Sequence, residues 1–313
     1  MKEQLYYSGY ALNGDHGHLV STCTDLSHSF SSFCFNSTQN HALTTTINRY
    51  YIPFLQQSGD IERAKECWIK ASTGHKAQRS PWHAAKALEK AADLSRESKD
   101  YSEIEELYSQ CADLYLEEGR PQAAAEAITR AAGALSETNP PVATRLFSQA
   151  IEWLEECGKD RTNPDVYRQA IAHAVRNDLW NDAASFLLRF AVSSYSAGAM
   201  ASMSKSYLGA VLVWLYAENG KNAWDTYQDA LGVSEFASSD QAFAAEDLIT
   251  AYRTQSLEAI QSTLANHSCF KHLDNCIAKL TKMLDTTDIK KASQGLGGSV
   301  LTQNNDDEEE DLT

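Results

Sequence analysis

The chain lacks any apolar run long enough to cross a membrane: the longest, Ala210–Ala217, falls far short of the roughly 20 residues that a spanning helix needs. Met1 to Gly14, with Lys2 and Glu3, lacks the apolar core of a secretory signal, so a soluble protein is expected. The seven cysteines (Cys23, Cys34, Cys67, Cys111, Cys157, Cys269, Cys276) form no CxxC pair. An odd number at irregular spacing suits a reducing cytosol better than a disulfide scaffold, and Cys67 and Cys111 fall on apolar helical positions. The sequon-like Asn36-Ser37-Thr38 is then not expected to carry a glycan. Phosphate-binding chemistry is missing too. Gly295-Leu-Gly-Gly-Ser299 has neither the lysine nor the following helix of a phosphate loop and reads as linker. No serine, histidine or aspartate stands in an elbow or triad-like context, so no enzyme and no cofactor are expected.

Base is scarce where acid is dense. Residues 306–311 are six acids without a base, and without them the balance is 36 acids against 27 bases, or −9 of the full −15. A globally acidic surface repels phosphate backbones, which argues against nucleic acid as a partner. Residues 1–58 hold only five charged residues, and Ser21–Thr46 contains twelve Ser or Thr without helical or strand period. That segment reads as poorly ordered. At 43% apolar and 22% charged, the rest of the chain can bury a core.

What is present is a repeat. Ala64-Lys-Glu-Cys67-Trp68-Ile-Lys-Ala71 lies over Ile104-Glu-Glu-Leu107-Tyr108-Ser-Gln-Cys111 at an offset of 40, and Leu107–Tyr115 lies over Leu146–Leu154 at 39. Phe186-Leu187 falls beneath Leu146-Phe147 at a further 40. A second helix family interleaves: Ala84, Ala87, Ala91 and Ala92 map onto Ala124, Ala127, Ala131 and Ala132, and Ile128–Ala131 onto Tyr167–Ala170. Each unit pairs a small-residue helix with a large-residue helix, and no unit can bury its apolar stripe alone, so neighbours stack. The expected fold is all-α: a tetratricopeptide-like solenoid of helical hairpins with a period of 39–40, longer than the standard 34. The pattern predicts a helix over 101–118, opened by a capping box of Asp100 and Glu103 and stopped by Gly119. Pro121, Asn139-Pro140-Pro141, Gly158 and Asn177-Asp178 punctuate later turns. The expected divisions are an atypical N-terminal segment 1–58, a helical-repeat sheet 59–198, a C-terminal bundle 199–290 and a flexible acidic tail 291–313. Within the bundle, helices are expected near 199–217, 221–231, 240–252 and 270–284.

Four places are candidates for function. His267, Cys269, His272 and Cys276 put four soft ligands within ten residues. Zinc modules normally bring ligand pairs from separate segments, however, and Phe270 and Leu273 suit core packing, which favours a helix docked through its apolar face. Phe30, Phe33 and Phe35 are aromatic enough for a membrane interface, but no base lies among them. Lys86, Lys90, Arg130 and Arg168 recur on the small-residue helices beside the alanine stripe, facing either a partner groove or plain solvent. The acidic end, Glu308, Glu309, Glu310 and Asp311 followed by Leu312, is either a solvated terminus or a peptide for a partner's basic groove.

Gly59-Asp-Ile-Glu-Arg-Ala-Lys-Glu, Trp82-His-Ala-Ala-Lys-Ala-Leu-Glu-Lys-Ala-Ala92 and Leu114-Tyr-Leu-Glu-Glu-Gly-Arg-Pro-Gln-Ala-Ala-Ala125 resemble soluble NSF attachment proteins. Cys269-Phe-Lys-His-Leu-Asp-Asn-Cys-Ile-Ala-Lys-Leu280 and the Gly-Gly linker before an acidic end resemble the gamma type. Gamma relatives carry tyrosine or acidic residues where His272 and Cys276 stand, which further disfavours metal. The resemblance covers about 59–313 and implies a twisted sheet of helical hairpins with a C-terminal bundle. It also implies an adaptor that lays its concave side on the SNARE four-helix bundle of syntaxin-type proteins. Its C-terminal end recruits the hexameric AAA ATPase NSF, in a cytoplasmic protein peripherally associated with membranes. The cations at 86, 90, 130 and 168 would meet SNAREs, and residues 308–312 would meet NSF. The family's opening hairpin, with its hydrophobic membrane-attachment loop, has no counterpart in the periodicity of residues 1–58. The competing reading is a generic helical-repeat scaffold of a multisubunit complex.

Overall fold

The computed structural model describes residues 52–297, and among them there is helix and connecting turn but no strand. The helices are α1 (Ile52–Gln57), α2 (Ile61–Ala77), α3 (Pro81–Glu97), α4 (Ile104–Glu117), α5 (Pro121–Leu135), α6 (Pro140–Glu156), α7 (Pro164–Arg176), α8 (Trp180–Ser196) and α9 (Met200–Tyr216). There follow α10 (Gly220–Leu231), α11 (Ser234–Ala237), α12 (Asp240–Arg253), α13 (Leu257–Asn266), α14 (Asn275–Thr281) and α15 (Ile289–Ala292). The all-α hairpin repeat expected from the sequence is borne out. Four of the six prolines in the chain open helices at their first position, where a missing N–H costs nothing.

The 40-residue period is two helices with a shared stop. Residues 59, 79, 99 and 119, and again 158, 178, 198 and 218, all sit in the left-handed region, with φ between 55° (Arg79) and 78° (Gly59). After each, an N–H reaches a carbonyl five residues back: Ser80 to His75 at 3.0 Å, Asp100 to Ser95 at 2.9 Å, Arg120 to Tyr115 at 2.8 Å and Ala199 to Ser194 at 2.8 Å. These bonds satisfy carbonyls that the helix end would otherwise orphan. Glycine supplies the conformation at 119 and 198 without strain and Asp178 tolerates it, whereas Arg79, Lys99 and Glu218 adopt it against their own preference. The cadence runs through Gly198 to Glu218, further than the repeat expected from the sequence.

Chain packing resolves two compact units, divided after Ala127 inside α5. In the first unit, α3 buries Ala84, Ala85, Ala87, Ala91 and Ala92, and α4 buries Tyr108, Cys111 and Tyr115. The buried tyrosines keep their hydroxyls paired. Tyr108 donates to Asp93 at 2.8 Å and Tyr115 to Glu89 at 3.0 Å. Trp68, aligned with Tyr108 in the repeat, is only partly buried, against Ile52, Leu55, Ala64 and Leu94. The predicted capping box is not formed, and α4 starts at Ile104 rather than 101. Asp100 instead accepts from the Ser102 hydroxyl at 2.6 Å, and Asp100 and Glu103 both bind the buried Lys65, at 3.5 and 3.0 Å. Burial alone would lower the Lys65 pKa, but its bonds to Glu62 and Glu103 more than reverse that and hold it charged.

In the second unit, α9 is apolar nearly all round and is buried accordingly, touching α8, α10, α11, α12 and α14. A polar cluster closes α5, α6 and α7 around His173, which is 1% exposed. Thr144 spends its hydroxyl proton on the Pro140 carbonyl, so it accepts from His173 Nε2–H at 2.9 Å. His173 Nδ1 then accepts from Ser136 at 2.6 Å and from Asn177 at 3.2 Å. Burial pushes the imidazole below its ordinary pKa, with Arg176 adding to the shift and Asp182 opposing it.

Beyond α12 the sequence was a poorer guide. The helix expected over 270–284 is broken into a 3-10 turn (Ser268–His272), α14 and a second turn (Leu284–Thr286), and α13 was not foreseen. The linker expected from Lys291 is packed as far as Gly297. Glu218 accepts from the Asp288 N–H at 3.0 Å and pairs with Lys291 at 2.8 Å, and Arg253 donates to the Leu296 carbonyl at 3.2 Å. Leu296 is buried, and a Cβ at Gly297 would collide with the Trp224 indole. No helix among the described residues is long and apolar enough to cross a membrane.

Candidate functional site

The small-residue helices place their cations as the alanine pattern predicts. On α3, Ala84, Ala87, Ala91 and Ala92 turn inward, leaving Lys86 and Lys90 one turn apart on the exposed side. Lys90 makes no ion pair or hydrogen bond among the described residues. Lys86 is bound to Glu89 at 2.8 Å and lies 5.7 Å from the centre of the Tyr115 ring. The bond to Glu89 holds the Lys86 ammonium above its ordinary pKa. Glu89 is buried, and it joins Lys86 to the Tyr115 hydroxyl. Sequence reading missed this acid, although its three-residue spacing from Lys86 was the available signal.

Arg130 and Arg168 belong to the second unit. Arg130 is half-buried on α5. Arg168 is exposed near the start of α7, pairs with Asp165 at 2.9 Å and stands over the Phe190 ring at 5.7 Å. Nearby, Tyr167 donates to Glu155 at 3.0 Å, and Arg189 grips the same carboxylate through two bonds of 3.0 and 2.7 Å. Burial and the Glu155 charge push the Tyr167 phenol far up, which fixes it as a donor. Arg189 was not among the expected cations, and only the fold brings it to Glu155.

The soft-ligand candidate does not assemble on one helix. His272 ends the 3-10 turn, Leu273 is extended, and Cys276 lies on α14, so the expected one-turn spacing is lost. His267 bonds to Asp247 at 2.8 Å, while Cys269 and Phe270 are buried. Burial raises the Cys269 and Cys276 thiols, the opposite of what a thiolate ligand needs. Among the described residues no group of three or more His, Cys, Asp or Glu is placed to hold a metal ion. The same region carries a groove of about 390 Å³ lined by Leu264, Ala265, Phe270, Ala278, Lys271 and Lys282, among others. The phenylalanines at 30, 33 and 35 and the acidic segment Glu308–Leu312 lie outside the described residues.

The site is thus a set of exposed cations, Lys86 and Lys90 on α3 and Arg168 on α7, carried by helical hairpins. The family model for soluble NSF attachment protein matches residues 55–287. A gamma-soluble NSF attachment protein of Arabidopsis thaliana is 36% identical over 256 residues, covering 82% of this chain and 85% of the relative. One of Dictyostelium discoideum, with the same name, is 24% identical over 223 residues, or 71% of this chain and 68% of its own. With most of its described helices inside that match, the chain belongs to the family of soluble NSF attachment proteins.

Proposed function

We propose that this chain is an adaptor that binds assembled SNARE four-helix bundles and recruits the hexameric ATPase NSF to take them apart, hydrolysing nothing itself. The observation that carries the reading is the family match over nearly every described helix, joined to exposed cations on the small-residue helices. Lys90 makes no ion pair among the described residues, and the ion-pair partner of Arg168 is an exposed neighbour on its own helix, Asp165. Such an exposed i,i+3 pair is worth only tenths of a kcal/mol, so an acidic partner can displace it cheaply, whereas Lys86 is held by the buried Glu89 and is less readily released. Several weak, screened contacts suit a complex that must be released after every cycle. Residues 308–312 fill the second role: a dense acidic run is captured fast by a basic groove on the ATPase, and Leu312 adds an apolar anchor.

The test is a pull-down of the full-length protein with a soluble SNARE bundle and NSF, at low and physiological salt. Lys90→Glu with Arg130→Glu is expected to weaken SNARE capture at least fivefold at low salt, with less difference at high salt. Deleting 304–313 is expected to leave SNARE capture intact and reduce NSF recruitment. SNARE capture by the double variant equal to that of the parent across the salt series would remove the cationic surface from the reading. Full NSF recruitment without 304–313 would remove the tail.

A further inference from the structure

The tip of the α2–α3 hairpin differs in charge from every other described hairpin end. From Ala71 to Leu88 there is no acid, in a chain of 42 acids against 27 bases, yet the stretch holds His75, Lys76, Arg79, His83 and Lys86. At the other left-handed positions, Asp60 follows Gly59, Asp100 follows Lys99, Glu118 precedes Gly119, Asp160 lies two residues past Gly158 and Glu258 three past Gln255; Asp178 and Glu218 are stops themselves, Gly198 has no charged neighbour, and Gly295 lies in the final segment after Asp288, Lys290 and Lys291.

The geometry concentrates this charge. Arg79 turns at φ 55°, and the bonds from Arg79 N to Lys76 O (2.9 Å) and Ser80 N to His75 O (3.0 Å) lock the tip. Ser80 Oγ meets His83 Nδ1 at 2.7 Å, the His75 and His83 rings are 5.4 Å apart, and Trp82 stands edge-on to His83 at 4.8 Å. Lys76 and Arg79 are exposed, and their side chains pair with nothing among the described residues. Trp82 is 36% exposed although it is the largest apolar side chain there. Two free cations, two histidines and an indole therefore project from one rigid turn.

We propose that this tip, through Lys76, Arg79 and Trp82, contacts the anionic face of a phospholipid bilayer. Indole is favoured at the headgroup level, where its ring is apolar and its N–H wet. Cations near an anionic leaflet gain attraction that falls off within a Debye length, so a local patch acts even on a chain of net negative charge. The inference is independent of the SNARE and NSF reading and uses none of its residues.

The test is sedimentation of the full-length protein with vesicles of phosphatidylcholine alone or with phosphatidylserine, at two salt concentrations. The parent is expected to partition onto the phosphatidylserine vesicles and to lose that partition as salt rises. With about fivefold per cation at the surface, Lys76→Glu with Arg79→Glu is expected to lose at least tenfold. Trp82→Ala is expected to lose severalfold at both salts, and circular dichroism checks that each variant folds. Lys271→Glu with Lys282→Glu matches the charge change elsewhere and is expected to stay within twofold of the parent. The proposal is overturned if the parent ignores anionic lipid, if the tip variant matches the parent, or if both charge pairs lose equally. It is also overturned if the tip variant loses a soluble SNARE bundle without lipid while keeping its vesicle binding.

Discussion

Residues 52–127 and residues 128–297 handle interior polar groups in opposite ways. In the first stretch, Trp68 Nε1, Ser72 Oγ, Gln78 Nε2 and Ser95 Oγ are buried without a hydrogen-bond partner among the described residues, and Lys65 is buried beneath three surface carboxylates. In the second, only Arg253 Nη2 is so placed, and the buried histidine has both ring nitrogens satisfied. A buried polar atom with its partner contributes little net stability, but one without a partner costs its full desolvation. The first stretch therefore holds together through apolar contact and paired tyrosines, and the second through a closed polar lock as well.

The largest expected effect tests the tyrosines. Tyr108→Ala should cost about 3–5 kcal/mol in denaturant unfolding, because it empties a fully buried ring site and strips Asp93 of a donor. Stability equal to the parent's would mean that α4 does not pack as described. Next comes the lock. Ser136→Ala leaves His173 Nδ1 short of its best donor and should cost about 1–3 kcal/mol. The same site sets a pH dependence. A histidine whose folded pKa lies below its unfolded value of 6.5 binds its proton more readily unfolded, so its contribution is complete above that value. The contribution is lost as pH falls from 6.5 through the folded pKa. Thermal melts between about pH 7 and pH 5 should thus show a steeper loss for the parent than for His173→Gln, and equal slopes would place the dependence elsewhere.

Opposite in sign, Ser95→Ala should stabilise by about 1 kcal/mol, since it removes a buried hydroxyl that nothing answers. A loss of stability would show that the hydroxyl has a partner after all. Smallest of all, Lys99→Gly should gain a few tenths of a kcal/mol, as relief of the left-handed strain slightly exceeds the entropy glycine adds to the unfolded chain. A destabilised Lys99→Gly protein would mean that the lysine stem packs at its turn.

The repeat was legible because its carriers are strong local signals. Alanine stripes and large apolar pairs recur at helical spacing, and Gly59, Gly119, Gly158 and Gly198 announce half of the left-handed stops. Asn177-Asp178 announces a further turn, whereas Arg79, Lys99 and Glu218 were hidden, because they do not favour that conformation and the closing bonds of the hairpin impose it. The bundle past α12 was misread because four- to ten-residue helices are held by packing rather than by propensity. Of the candidate site, the exposure of Lys86, Lys90 and Arg168 followed from the alanine register. Glu89 did not, since an acid in a charged run reads as surface until the fold buries it beside Tyr115.

The seating of Gly297 against Trp224 makes the last described residues a test of fit. A Cβ at Gly297 would fall on the indole of Trp224, and one at Gly220 would meet the carbonyl oxygens of Ala292 and Gln294. Two positions without side chains, one on each side of the contact, let the backbone come up to a ring and to a helix start directly. Any larger residue at either place would force residues 289–297 away from α10 and unseat Leu296.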